Sequence, residues 1–127
     1  MDSRRDLGFR GEEAAARFLE AGGYEILARN VRLGRCELDI VARDGARLVF
    51  VEVKTRSGEG YGRPAEAVTP AKQRRIVQAA LLFLQQEGLQ PAELRFDVVE
   101  VRWRRDGAAL LTHIPHAFDG AGGNLFY

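Results

Sequence analysis

Cys36-Glu37-Leu38-Asp39-Ile40-Val41-Ala42-Arg43-Asp44-Gly45-Ala46-Arg47-Leu48-Val49-Phe50-Val51-Glu52-Val53-Lys54-Thr55 is the stretch on which the fold of this chain turns. Glu37 to Arg43 reads as one strand, and Leu48 to Lys54, β-branched with one aromatic residue, as a second. Asp44-Gly45 between them is a turn signal, so the segment predicts a hairpin. Side chains two apart on a strand share a face. Glu52 and Lys54 therefore point one way, with Val49, Val51 and Val53 filling the buried face behind them. On the preceding strand Glu37 and Asp39 share a face opposite Leu38, Ile40 and Ala42.

Whether the two acidic sets meet depends on register, because directly opposed residues of an antiparallel pair lie on the same face. A two-residue turn at Asp44-Gly45 opposes Glu37 to Glu52, and a four-residue loop through Arg47 opposes Asp39 to Glu52. Either puts Asp39, Glu52 and Lys54 on one surface, whereas a three-residue loop without a bulge separates them. Carboxylates gathered on one sheet face repel one another unless a cation sits among them. Hard oxygen donors of this kind suit Mg²⁺ or Mn²⁺, with waters completing the shell. Such an ion polarises a phosphate oxygen and lowers the pKa of an attacking water. A lysine two residues beyond a ligand can hold that water or steady charge developing on phosphorus. Arg serves poorly there, because its pKa is too high to exchange a proton.

Outward from the hairpin the patterns change period. From Asp6 to Ala21 a helix is predicted, with Leu7, Gly11, Ala14, Ala15 and Phe18 on one stripe. Arg10, Glu13, Arg17 and Glu20 face away, Glu12 sits at the stripe's edge, and Gly22-Gly23 ends the helix. A weakly patterned strand follows from Tyr24 to about Arg32. Arg56 to Val68, with Gly58, Gly60, Gly62 and Pro64, reads as a flexible loop. Thr69-Pro70 then starts a helix as N-cap and first helical residue, Ile76, Ala79, Ala80 and Phe83 face the core, and Gly88 ends it. Leu94 to Trp103 is a strand, and Asp106-Gly107 turns it into another from Ala108 to Ile114. The glycine-rich end, from about residue 115, reads as a mobile tail. The order α-β-β-β-α-β-β predicts one α/β domain over 1–127, a mixed sheet flanked by helices.

Asp39, twelve intervening residues, then Glu52-Val53-Lys54 resembles the PD-(D/E)xK nuclease signature. Glu37 to Asp44 and Val49 to Arg56 resemble the uncharacterised bacterial YraN-like family. So do Gly11-Glu12 with its Ala-rich helix, Arg29-Asn30, Lys72 with the helix after it, and Arg95-Phe96-Asp97. The likeness covers about residues 8 to 101. It implies a restriction-endonuclease-like fold similar to archaeal Holliday-junction resolvases. It also implies Glu12, Asp39 and Glu52 as metal-holding acids and Lys54 as the catalytic lysine; Glu37, sharing a face with Asp39, is expected to assist. Cys36 departs from that pattern, standing where the family tends to have Gly. Resolvase-like proteins work as dimers because two strands must be cut, so the resemblance also implies a homodimer.

Composition sets the outer bounds. The chain has 127 residues, with Lys+Arg 19 against Asp+Glu 18 and a formal charge of +1. That balance excludes a basic coat, so any nucleic-acid contact is local. A single cysteine excludes an internal disulfide framework, and His113 and His116 lack the further ligands a metal site of their own would need. No apolar run approaches the ~18 residues of a membrane span, and the first residues lack a signal peptide's apolar core; a soluble cytoplasmic protein is expected. Among the cations only Lys54 and Lys72 are lysines, which raises the question whether they share a site. Lys72 in the first turn of its helix opposes the helix dipole, so stability does not explain it, whereas phosphate binding would. From Lys54 to Arg75, the cations Lys54, Arg56, Arg63, Lys72, Arg74 and Arg75 meet only Glu59 and Glu66. Arg56, Arg63, Lys72 and Arg75 are the residues expected to bind nucleic acid. The expected activity is Mg²⁺- or Mn²⁺-dependent hydrolysis of phosphodiester bonds in branched or structured DNA. The alternatives are a non-catalytic nucleic-acid-binding module that has kept the nuclease fold, and a protein-interaction domain.

Overall fold

The predicted hairpin forms from β2 (Cys36–Asp44) and β3 (Arg47–Ser57), in a computed structural model that describes residues 4–57 and 68–119. Asp44 pairs with Arg47 across a tight turn at Gly45-Ala46, and Gly45 takes the left-handed conformation (φ 62°) that the turn requires. Arg43 opposes Leu48 and Ile40 opposes Val51. This is the register expected of the longer loop, reached by a shorter turn moved one residue along the chain.

Around the hairpin lie α1 (Arg4–Ala21), β1 (Glu25–Leu33), α2 (Pro70–Glu87), β4 (Glu93–Trp103) and β5 (Ala109–Phe118). The α-β-β-β-α-β-β order and the mixed sheet are those predicted. The five strands lie in the order β1-β2-β3-β4-β5, and only β3 and β4 run parallel. A parallel pair needs a crossover, which the 57–93 segment supplies through α2. Thr69 caps that helix by accepting from the Lys72 N–H at 3.2 Å, and Gly88 (φ 64°) ends it. No helix among the described residues is long and apolar enough to cross a membrane.

Each helix covers one face of the sheet. Ala15, Ala16 and Leu19 of α1 pack on Ile40, Ala42, Val49, Val51, Val53, Val99 and Val101. Ile76, Ala79, Ala80 and Phe83 of α2 pack on Leu38, Val41, Phe50, Phe96, Val98 and Phe118. With both faces covered, β3 reads as an apolar run broken only where the site begins. Gly11 lets α1 sit against β3, since a Cβ there would lie 2.2 Å from Thr55 Oγ1.

Four expectations are corrected. The buried line of α1 is Gly11, Ala15, Ala16 and Leu19, while Phe18 is 41% exposed and meets His113 edge-on. The helix is rotated relative to the predicted stripe, so that Ala16 and Leu19 take the sheet-facing places expected of Ala14 and Phe18. Leu38 joins the α2 side of the core and not Ile40 and Ala42. The slip falls opposite Asn30, whose positive φ (53°) interrupts the regular alternation of β1. Arg56 lies on β3 and not in a loop, because pairing with β4 runs on to Ser57 opposite Trp103. Finally, β5 continues to Phe118, whose ring stacks on Phe96 at 5.2 Å, so residues 115–118 belong to the sheet. Residues 120–127 of the expected tail, and the loop residues 58–67 with Arg63, lie outside the described residues.

On the α1 side, Asp97 is fully buried and saturated with donors. It accepts from Arg95 Nε and Nη2 at 2.8 Å each and from the His116 N–H at 2.9 Å, and it lies 2.7 Å from His113 Nε2. The ladder between β4 and β5 shifts register at this point, and His116 has φ 52°. Asp97 thus ties an irregular strand pair together. Burial alone would raise its pKa, but His113, Arg95 and the His116 N–H hold it below the ordinary value.

Candidate functional site

The last ladder pair between β2 and β3 is Ile40 with Val51. One step beyond, the ladder ends and Asp39 Oδ2 instead accepts the Val53 N–H at 2.8 Å, with Glu52 close enough to act on its charge. A side-chain carboxylate holds the strands together there, at the mouth of a notch. Glu12 enters the notch from α1, which the Gly11–Thr55 contact brings close. Carboxylate oxygens of Glu12, Glu37 and Asp39 lie within 4.8 Å of one another. Asn30 hydrogen-bonds Glu12, and Arg29 holds the neighbouring Glu13 at 2.6 Å, so β1 orients this end of the helix.

Glu52 forms the floor. Its side chain is 6% exposed, and both lysines of the chain converge on it. Lys72 Nζ lies 2.8 Å from Glu52 Oε1 and Lys54 Nζ 3.8 Å from the same oxygen. The two lysines do share a site. Lys54 stands beside Glu100 in the parallel ladder, a buried acid that takes Arg56 Nε at 3.0 Å and Arg102 Nη2 at 3.2 Å.

The electrostatics follow from this crowding. Burial, reinforced by Glu52, pushes the Asp39 carboxyl up from 3.8 to about 8, against the opposing bond from Val53. Glu12 is also raised, chiefly by burial. Burial and the neighbouring Lys72 lower the Lys54 amine from 10.5 to about 8. Burial disfavours the charge of Lys72 too, but its bond to Glu52 outweighs this and its pKa is raised. The Cys36 thiol is raised, by burial and then by Glu52. Cys36 opens β2 opposite Leu33 without breaking the strand.

These shifts set a pH dependence of folding in the presence of a chelator. The folded chain keeps a proton on Asp39 between 3.8 and about 8 that the unfolded chain has lost. Its contribution is full below that window and is lost as pH rises through about 8. Lys54 acts in the opposite sense, its contribution growing as pH rises from about 8 to 10.5. Urea unfolding at about pH 6, 8 and 10 is expected to show a stability minimum near the middle value. Asp39→Asn should remove the fall on the acid side; an unchanged fall would contradict this account.

Of the residues singled out in the sequence, Glu12, Glu37, Asp39, Glu52, Lys54 and Lys72 are brought together. Arg56 lies next along β3, engaged with Glu100, and Arg75 is exposed on α2. Asn30 and Glu100 were missed. Glu100 carried a signal, a charge two residues from Val98 in an apolar strand. Asn30 carried only the family likeness of Arg29-Asn30, which gave it no role.

The model of the uncharacterised protein family UPF0102 matches residues 11–101. The UPF0102 protein of Symbiobacterium thermophilum is 54% identical over 114 residues, covering 90% of this chain and 97% of that one. That of Geobacter sulfurreducens is 50% identical over 113 residues, covering 89% and 88%. Among solved structures, Pyrococcus furiosus SfsA in complex with Ca²⁺ is similar at a TM-score of 0.42 and 15% identity. The match covers 87% of this chain and spans 63% of the SfsA chain, less than two thirds of its length. The match across both acidic strands and both helices, together with relatives half identical over nearly their whole length, means that the chain belongs to the uncharacterised protein family UPF0102.

Proposed function

We propose that this protein is a metal-dependent endonuclease that hydrolyses phosphodiester bonds in branched or structured DNA. The observation that carries the reading is the cluster itself, where the carboxylates of Glu12, Glu37 and Asp39 converge, within reach of the charge of Glu52 and of a lysine whose amine is held near 8. The donor set fits a hard divalent cation. Its acids are oxygen donors, and burial together with Glu52 raises Asp39 so far that the carboxylates lack sufficient compensation of their own. Glu12, Asp39 and Glu52, with Glu37 assisting, would hold Mg²⁺ or Mn²⁺. When bound, such an ion polarises a phosphate oxygen and activates water.

The chain's own residues supply the rest. Asp39 keeps β2 and β3 joined at the notch through the Val53 N–H and so fixes the spacing of the acids. Lys54, with an amine lowered to about 8, can exchange a proton with a water at neutral pH, which a guanidinium cannot. Arg56, Arg63, Lys72 and Arg75 would follow the DNA backbone, with Glu100 fixing Arg56 at its near end. The working form we read is a single cytoplasmic domain acting as a homodimer, one site per strand cut.

Calorimetry with Mn²⁺ and cleavage assays on branched DNA with Mg²⁺ test this. Saturable Mn²⁺ binding and cleavage by the unaltered chain, both lost in Asp39→Asn, are the expected results. If branched, nicked and single-stranded DNA and RNA all survive with either metal, catalysis is wrong. Salt-sensitive binding untouched by Asp39→Asn would then identify a binding module that has kept the fold.

A further inference from the structure

Lys72 sits where a lysine is least expected. It lies in the first turn of α2, at the positive end of the helix dipole, in a turn that holds no acid. Its side chain is 37% exposed and ends 2.8 Å from Glu52 Oε1, in a site whose other cation, Lys54, stands at 3.8 Å. Only the Lys72 distance is that of a charge-assisted hydrogen bond. A carboxylate as buried as Glu52 is costly without such a partner. In a chain whose other cations outside this site are arginines, the residue used is the one that delivers a compact point charge to a single oxygen.

We propose that Lys72 is the resident counter-ion of Glu52: its ammonium holds the oxygen that a divalent cation takes, and must yield it when the cation binds. The inference rests on the reading of Glu52 as a metal-holding residue. Lys72 is then a positioning residue with two consequences of opposite sign. It keeps the carboxylate charged and aimed before an ion binds, and it competes with the metal for that carboxylate. Removing the ammonium therefore strengthens metal binding, because Glu52 no longer has to be vacated and a positive charge no longer stands beside the incoming ion. A lysine that merely held α2 against the sheet would give the reverse, since loosening the site would weaken every ligand.

The experiment is calorimetric titration of the full chain with Mn²⁺ alone, comparing the unaltered protein with Lys72→Gln, Lys72→Arg and Asp39→Asn. Circular dichroism with chelator confirms that each is folded. Lys72→Gln is expected to bind Mn²⁺ about tenfold more tightly, Lys72→Arg to restore the original affinity, and Asp39→Asn to abolish binding. If the unaltered protein binds Mn²⁺, Asp39→Asn does not, and Lys72→Gln binds equally or more weakly, the counter-ion role is overturned while the metal site stands. If none of the folded proteins binds Mn²⁺, the metal reading fails and this inference fails with it.

Discussion

Asp97→Ala is expected to cost about 3–5 kcal/mol of folding stability, the range for removing one partner of a buried ion pair. Asp97 is fully buried, and its carboxylate meets the Arg95 guanidinium through two bonds of 2.8 Å, along with His113 and the His116 N–H. Arg95 is only 13% exposed, so truncating the acid strands a cation with no route to full hydration. It also orphans the backbone donor that ties the irregular β4–β5 pair. Against a typical total of ~5–15 kcal/mol, a loss of that size leaves the chain marginal, and urea unfolding near neutral pH measures it directly. The double variant Arg95→Met with Asp97→Ala removes both charges and should recover part of the loss. The pH dependence has a definite sign. Since the folded pKa lies below 3.8, this contribution is present above that value and is lost as pH falls through the folded one. A cost under about 1 kcal/mol, the scale of an ordinary surface substitution, would show that the pair does not stabilise the sheet.

The central hairpin was legible because two independent local signals agreed on it. Alternation at period 2 placed Glu52 and Lys54 together, and a turn dipeptide lay at the only break between the strands. What the turn could not decide was register. That depended on Gly45 adopting φ 62°, which tightened the loop and set Asp39 beside Glu52. Helix α2 was legible to within a residue because Thr69, Pro70 and Gly88 each act through the local backbone. Helix α1 was legible as a helix but misjudged in rotation. Its alanines offer two adjacent apolar lines of similar quality, one carrying Phe18 and the other Leu19, and the choice of Leu19 is made by packing on the sheet and not by any local signal.

The meeting of Lys72 with Glu52 was beyond local reading for the same reason. It joins a strand to a helix across the 58–67 segment, and only the seat of α2 on the sheet brings 2.8 Å between them. Composition nonetheless held a trace of it, since the two lysines of an arginine-rich chain prove to bind one carboxylate. Glu100 shows the converse limit. Its spacing from Val98 put it on a buried face, but the parallel register that sets it beside Lys54 is fixed by a crossover that no hairpin rule predicts.

If the proposed nuclease reading holds, Lys54→Ala is expected to slow single-turnover cleavage of DNA by about 10²–10⁴-fold, the usual scale for losing a group that moves a proton or steadies charge in the transition state. The change should leave the site assembled. Lys72 still holds Glu52 at 2.8 Å, and Asp39 keeps its bond to the Val53 N–H, so neither acid loses its nearest partner. Mn²⁺ affinity should therefore be retained or rise, and DNA affinity should change little, which separates a defect in the chemical step from one in binding. Lys54→Arg distinguishes the two duties the lysine can perform. A guanidinium preserves the positive charge but cannot give or take a proton near neutral pH, whereas the native amine sits at about 8. Failure of Lys54→Arg to restore the rate, with metal binding intact, assigns Lys54 to proton exchange with the attacking water. A rate near that of the unaltered chain would instead reduce its role to charge alone. Lys54→Ala cleaving at full rate would remove Lys54 from the chemistry altogether.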